Sequence, residues 1–406
     1  MLKNRAKVPP WTLPVIAAAA VWLALLVIAI RPEAWSWMRG RLTWMLNPLF
    51  HDWHVVYLGW TETMAGHDAL SDPANPFNYP RIVLWFADWG LRLSPVTSGL
   101  AVAAFFLGTL AFALRPRSLL AGAVFAVLLL SFPVALIVER GNLDQIAFIL
   151  LVVGLLGLGR DRPGPVAQAA GAGAILLAGL VKLYPLIIPA AAIFYWRDSR
   201  RRWLGAILAV AAWWTVLHLD EIVLVMRKTT RGLEPAYGRL LLTGRLQVEG
   251  TWGLIQADAR SCGLVGLALS WAVMLAGLWF GVRRRREISA AMPGAVDRAL
   301  CLAGALVYTG TYMLGSNWSY RLVFLLICVP GLWSIAGEGG PVRRQAGVAL
   351  GAIGVSCFVP VHLPLVAFVG LQLVQLVLMG LLAGVAAALL WQGAPVAAAP
   401  AGRPSA

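Results

Sequence analysis

The chain has 406 residues, 60% of them hydrophobic and only 13% charged, where a soluble domain carries about 25% charged residues. Apolar runs recur along nearly the whole length, and many are long enough to cross roughly 30 Å of hydrocarbon. The net charge of +15 lies in short Lys and Arg clusters between those runs; the positive-inside bias produces that pattern, whereas a nucleic-acid-binding protein gathers its cations on one soluble face. Composition therefore indicates an all-α, polytopic integral membrane protein and excludes a nucleic-acid partner.

Taken in order, the basic N-terminus (Lys3, Arg5, Lys7) precedes an apolar run over 11–30. The run is long, lacks a small-residue cleavage site and is followed by Arg31-Pro32, so it reads as an uncleaved first span. Residues 31–95 form a first long loop. Within it, Trp35, Trp37, Met38, Trp44 and Met45 alternate with Arg39 and Arg41, which suits a helix lying in the membrane interface; residues 81–93 read as a second such helix. Spans follow at 97–114, 118–138 and 143–159, with a polar hinge at Glu139–Asn142. The stretch 166–196 is interrupted at Lys182-Leu183-Tyr184-Pro185 and reads as two segments that turn near Lys182. Further spans fall at 203–219, 263–282, 298–314, 321–337, 346–360 and 364–391. A second long loop occupies 220–262 and carries Arg227, Lys228, Arg231, Arg239, Arg245 and Glu249. The Ala/Pro-rich tail 393–406 reads as disordered, leaving 1–392 as a single transmembrane domain of about twelve segments.

If the basic N-terminus is placed in the cytoplasm and the segments alternate, the clusters 115–117, 160–162, 197–202, 283–286 and 343–344 all fall inside. Both long loops, the 139–142 hinge, Lys182, residues 315–321 and His362 then share the outer face. A single crossing over 166–196 would put the later basic loops outside.

The stretch Phe50–Pro80 holds Asp52, Glu62, Asp68 and Asp72, four of the chain's 18 acids, and His51, His54 and His67, three of its five histidines. A surface carboxylate shielded by aromatics can serve as a general base toward a hydroxyl, which singles out Asp52; a solvated loop acid or a helix cap is the plainer reading. His51, Asp52 and His54 are spaced too loosely for a metal site, and no metal or cofactor is expected. Glu139-Arg140-Gly141-Asn142-Leu143-Asp144 places ionisable groups between two apolar spans, where they are costly and mark candidate sites. Glu139 and Arg140 are positioned to pair, and Asn142 to cap the next helix; a structural hinge is the alternative. Lys182, in mid-run, needs an anion such as a lipid phosphate, or else snorkels to the headgroups. Arg321 has the guanidinium fork that clamps phosphate, or anchors its span at the interface. His362 stands alone on the same side. Cys262, Cys301, Cys328 and Cys357 lack any ligand or redox spacing and read as buried thiols. No P-loop, no GxGxxG after a strand and no GxSxG occurs.

These residues resemble the polytopic GT-C glycosyltransferases, and more closely the polyprenol-phosphate-mannose-dependent mannosyltransferases of glycosyltransferase family 87. The resemblance rests on Asp-Trp-His-Val-Val-Tyr (Asp52, Tyr57), the segment with Gly66, Asp68, Asp72 and Pro73, and Asn78-Tyr79-Pro80. It continues through Gly141–Asp144, Lys182–Pro185 and Ser316-Asn-Trp-Ser-Tyr-Arg321. It covers residues 10–205 and then mainly the span pattern. The chain departs from the family at Arg81, where a second proline is usual, and at Trp60 and Glu62 in the loop after Asp52. The resemblance implies a GT-C-type bundle with outer-face interfacial helices, in a bacterial cytoplasmic membrane. It implies inverting transfer of a sugar, mannose, from a polyprenyl-phosphate donor to a lipid or glycan acceptor, without a nucleotide sugar. Asp52 is then the base, with His54 and Glu139 as further catalytic candidates. Tyr57, Asp68, Tyr79, Arg140, Asn142, Asp144, Lys182, Tyr184, Arg321 and His362 are the substrate-binding set, with Lys182, Arg140 or Arg321 on the donor phosphate. The rival class is a transporter or lipid flippase, which usually carries an internal repeat that this chain lacks by inspection; a non-catalytic subunit of a cell-envelope assembly is a third.

Overall fold

A computed structural model describes residues 8–31, 33, 36, 48–85, 94–229, 236–239, 259–292, 294–314, 317–338, 340, 342–359 and 364–392. Apolar sequence with few breakers folds into helices because the backbone then satisfies its own hydrogen bonds. The first helices are α1 (Thr12–Ile30), α2 (His51–Met64), α3 (Pro95–Leu114), α4 (Leu119–Leu129), α5 (Phe132–Arg140) and α6 (Asp144–Leu158). Then come α7 (Pro165–Val181), α8 (Ile187–Ala192), α9 (Ser199–Leu217) and α10 (Leu219–Lys228). The last are α11 (Ala259–Arg283), α12 (Arg285–Ala290), α13 (Ala295–Leu314), α14 (Val323–Leu326), α15 (Val329–Gly337), α16 (Val342–Phe358) and α17 (Leu365–Gln392). Two short strands, β1 (Ala236–Tyr237) and β2 (Asn317–Trp318), pair antiparallel with Ala236 opposite Trp318.

Helix boundaries follow local chemistry. Ser94 caps α3, its Oγ accepting the Thr97 N–H at 3.1 Å with Pro95 in the first turn, and Ser118 caps α4 through Ala121 N–H; both leave fewer orphan donors at an apolar helix end. α5 ends on Gly141 at φ +62°, the left-handed stop that glycine adopts without a Cβ penalty. Small residues set the closest helix approaches. Gly277 and Gly281 of α11 face Gly380 and Gly384 of α17, and a Cβ at either α11 position would strike the facing backbone.

Four helical segments are long and apolar enough to cross a membrane: Thr12–Ile30, Pro95–Leu114, Gly263–Arg283 and Ala367–Gln392. Three bent helix pairs raise the number to as many as seven, and Asp144–Leu158 and Pro165–Val181 are shorter apolar helices. The chain is thus an all-α protein with membrane-spanning segments, and the twelve expected stretches do not each form a full-length crossing helix. The stretch 166–196 does break at Lys182. Its second half is a 3₁₀ turn and the six-residue α8, about 9 Å of helix, so helix geometry alone does not carry it across a bilayer.

Several local expectations change. The stretch after Phe50 is the ordered helix α2 rather than a loop, because apolar Val55, Val56 and Trp60 fall on one helical face and bury there. The break after α4 lies at Leu130–Ser131, ahead of Pro133, with a 47° bend to α5; Glu139 and Arg140 close α5 instead of forming a hinge. The chain turns 77° between α9 and α10, so the start of the second long loop is helical. Of the expected interfacial helix over 81–93, Arg81–Leu84 is a 3₁₀ turn and residues 86–93 lie outside the described set. So do most of the expected helix near 35–45, most of 230–258, His362 and the tail 393–406.

The bundle has two chemically distinct ends. At one, Arg117 pairs with Asp297, and Arg200 donates to the carbonyls of Leu158 (2.8 Å) and Arg160 (2.9 Å), where cations meet the negative pole of α6. At the other, the start of α2, the α5–α6 turn, the end of α7 and the turn after β2 come together.

Candidate functional site

The site begins with a strained residue. Phe50 has φ +60°, which costs a non-glycine residue roughly 1–2 kcal/mol. It is held there from both sides: its N–H donates to Glu139 O at 2.8 Å, and its ring fills the slot left by Gly99 and Gly141. A Cβ at Gly99 would lie 2.6 Å from the ring, and one at Gly141 would lie 3.0 Å from Phe50 Cβ and 3.1 Å from Trp53 Cβ. The first turn of α2 is thereby pinned against the α5–α6 turn. Trp53 donates its indole N–H to Ser98 Oγ, and Trp60 donates to Val83 O at 2.8 Å, fixing the rest of the helix.

That placement buries Asp52 beside Arg140. The Arg140 Nε donates to Asp52 Oδ2 at 3.0 Å and Nη2 to Oδ1 at 2.8 Å, while Asn142 Nδ2 also donates to Oδ2. A bidentate fork fixes the carboxylate plane, and Oδ1 keeps a lone pair for another partner. Asn142 is shared further. Its Nδ2 reaches Tyr320 Oη at 3.2 Å and its Oδ1 accepts the Asp144 N–H at 2.9 Å, so one side chain ties Asp52 to the start of α6. Arg140, expected to pair with Glu139, forms a bidentate ion pair with Asp52, and Glu139 is buried without lining the cavity.

A second ionic group stands next to the first. Asp144 is wholly buried, with Arg321 Nε 3.1 Å from Oδ2 and Lys182 Nζ 3.5 Å from Oδ1. Each cation also covers an aromatic face: Arg140 lies 4.7 Å from the Trp318 ring, Lys182 4.5 Å from Tyr79 and Arg321 5.1 Å from Tyr184. Such faces hold a cation without neutralising it.

Both groups open onto one cavity of about 280 Å³, whose lining includes Asp52, Tyr79, Arg140, Lys182, Tyr320 and Arg321. Its rim adds Lys228, whose Nζ donates to the carbonyls of Asp72 at 2.6 Å and Asn75 at 3.2 Å. Four cations against Asp52 and the underlying Asp144 leave an excess of two positive charges, so the cavity suits an anion.

Among the expected residues, Asp52, Tyr79, Arg140, Asn142, Lys182 and Arg321 line this cavity. Asp144 and Tyr184 lie behind it as supports for the cations. His54, Glu139, Tyr57 and Asp68 do not line it. Glu139 is buried behind Phe50. His54 is half-buried one turn past Phe50, its pKa lowered by burial and then by His51. Tyr57 packs in the apolar cluster under α2. Asp68 works in the rim loop, where the Arg81 guanidinium beside it holds its carboxyl down to about 2. Sequence reasoning did not place His51 or Lys228 in this site, yet both line the cavity. The available signal for Lys228 was its place at the end of an amphipathic helix, α10. Among the described residues, no three His, Cys, Asp or Glu side chains converge as a metal site.

Fold and site define an all-α protein with membrane-spanning helices and a buried, net-cationic cavity holding one carboxylate at its wall. The chain matches no known family profile, no curated protein and no solved structure.

Proposed function

We propose that this protein is a membrane glycosyltransferase that moves a sugar, mannose, from a polyprenyl-phosphate donor to a lipid or glycan hydroxyl on the outer face of a bacterial cytoplasmic membrane. The reading includes the GT-C-type arrangement of about twelve traversals. One observation carries it: Asp52, Arg140, Lys182 and Arg321, drawn from four separate segments, converge on a single cavity. A base and a phosphate clamp within one small cavity are the parts that displacement at a glycosyl phosphate requires.

In the proposed step, the acceptor oxygen bonds to the sugar C1 from the face opposite the phosphate. The C1–O bond to phosphate breaks with its electron pair, and the hydroxyl proton passes to Asp52. Lys182 and Arg321 stabilise the second negative charge that appears on the departing polyprenyl phosphate. Arg140 exchanges part of its hold on Asp52 for the donor phosphate, which frees the carboxylate to accept the proton when donor is bound. Preorganised cations need little rearrangement at that moment, since Asp144 and the aromatic faces already position them.

The test uses purified protein in liposomes with radiolabelled polyprenyl-phosphate-mannose and a total lipid extract. Wild type transfers label to a new lipid, and Asp52→Asn loses about 10²–10⁴-fold in rate while still unfolding cooperatively, at a midpoint lowered because Arg140 loses its buried partner. Transfer by Asp52→Asn at the wild-type rate removes Asp52 as base. No transfer from mannose, glucose or arabinose donors by folded protein moves the reading to a transporter or flippase that binds the same anion.

A further inference from the structure

At the opposite, basic end of the bundle lies an open apolar groove between α1 and α3, about 770 Å³ in volume. Small residues make it: Ala18, Ala19, Gly108 and Ala111 floor it between the larger Trp22 and Phe112. Along α1 it runs from Trp11 to Trp22, about 16 Å of helix, which is one leaflet's share of a hydrocarbon core roughly 30 Å thick. At its end stands Arg115, closing α3 with a left-handed backbone at φ 44°. The neighbouring Arg117 is paired with Asp297. The Arg115 guanidinium instead lies over the Phe112 ring at 5.2 Å, and among the described residues no carboxylate forms an ion pair with it. Trp11 is exposed at the same level, the depth at which indoles mark the membrane interface.

We infer that this groove is a binding site for an anionic phospholipid of the basic-side leaflet, one acyl chain lying between α1 and α3 and the headgroup phosphate paired with Arg115. Length selects a lipid of a single leaflet, and the uncompensated guanidinium at the chain's polar end selects an anionic headgroup over a zwitterionic one. Arg115 brings a planar fork that can donate to two phosphate oxygens, and the left-handed stop of α3 places it at the groove's mouth. The site is separate from the Asp52 cavity and does not depend on the transferase reading.

Thermal unfolding of detergent-purified full-length protein tests it, with phosphatidylglycerol, phosphatidylcholine or inorganic phosphate added. Phosphatidylglycerol raises the midpoint by about 3 °C or more above phosphatidylcholine. Arg115→Gln removes the difference by taking the charge. Gly108→Phe removes it by filling the groove, since a Cβ at Gly108 meets no atom within 4 Å. Equal stabilisation by phosphatidylcholine or by inorganic phosphate overturns the proposal, as does a phosphatidylglycerol effect retained in Arg115→Gln. If Gly108→Phe does not fold, Arg115→Gln decides alone.

Discussion

Asp144 holds two cations at once, wholly buried against Lys182 and Arg321. Removing its charge leaves those cations facing each other, the costly way to break a buried ionic group. Asp144→Asn is expected to lower stability by about 3 kcal/mol, read as a lower thermal midpoint in detergent. Added inorganic phosphate should recover part of that loss by replacing the missing anion, whereas wild type gains less. His54 titrates in the opposite sense to a paired histidine. Its folded pKa lies below 6.5, through burial first and His51 second, so the unfolded chain takes the proton first as the pH falls below 6.5. Stability therefore drops in that window, and His54→Asn should flatten the slope of thermal midpoint against pH between 7 and 5.

Among the elements, the α5–α6 turn positions more of the site than any helix interior. Gly141 is required twice, by its φ of +62° and by the approach of Phe50 and Trp53. Gly141→Ala is expected to cost about 1–3 kcal/mol and to push the first turn of α2, with Asp52, away from Arg140; the proposed transfer activity should fall further than the Tm loss accounts for. The rim loop over 68–79 is held by a second device. Arg81 pairs with Asp68 and takes its backbone N–H to buried Glu221 at 2.7 Å, while Lys228 ties the loop's carbonyls to the end of α10. Because Arg81 lowers the Asp68 pKa to about 2, this clamp is complete above the ordinary value of 3.8 and is lost as the pH falls toward 2. Amide hydrogen exchange at Leu70 and Ser71, whose N–H groups donate to Asp68, should lose protection across that range after correction for intrinsic rates.

Across the whole molecule, charge is sorted by end. Arginines bonded to helix-terminal carbonyls and to Asp297 gather at one end, and the anion-seeking cavity lies at the other. In the proposed threading the cavity and the basic loops meet different aqueous phases. Single cysteines introduced by Ala74→Cys and Asp161→Cys, both at exposed positions, should react with a membrane-impermeant maleimide from opposite sides of oriented vesicles. Labelling of both from one side would require a different threading of the helices and would remove the shared outer face on which the transferase reading depends.

The sequence by itself determined what local pattern controls: the all-α membrane class from apolar runs, the basic loops between them, the break at Lys182, and six polar residues that line one cavity. Asn142, Asp52 and Lys182 were legible because an ionisable or amide group between apolar spans is costly unless it is used. Tertiary structure alone decided the pairings. Arg140 lies 88 residues from Asp52 and Arg321 lies 177 from Asp144, separations that no periodicity encodes. It also fixed where the helix after Phe50 sits: the shared apolar face of Val55, Val56 and Trp60 makes it helical, but its position is set by Phe50 packing against Gly99 and Gly141. Lys228 was legible as a cation closing an amphipathic segment, but not as part of the cavity rim. Its role is set by where α10 folds back, because the carbonyls it binds belong to a segment more than 150 residues earlier.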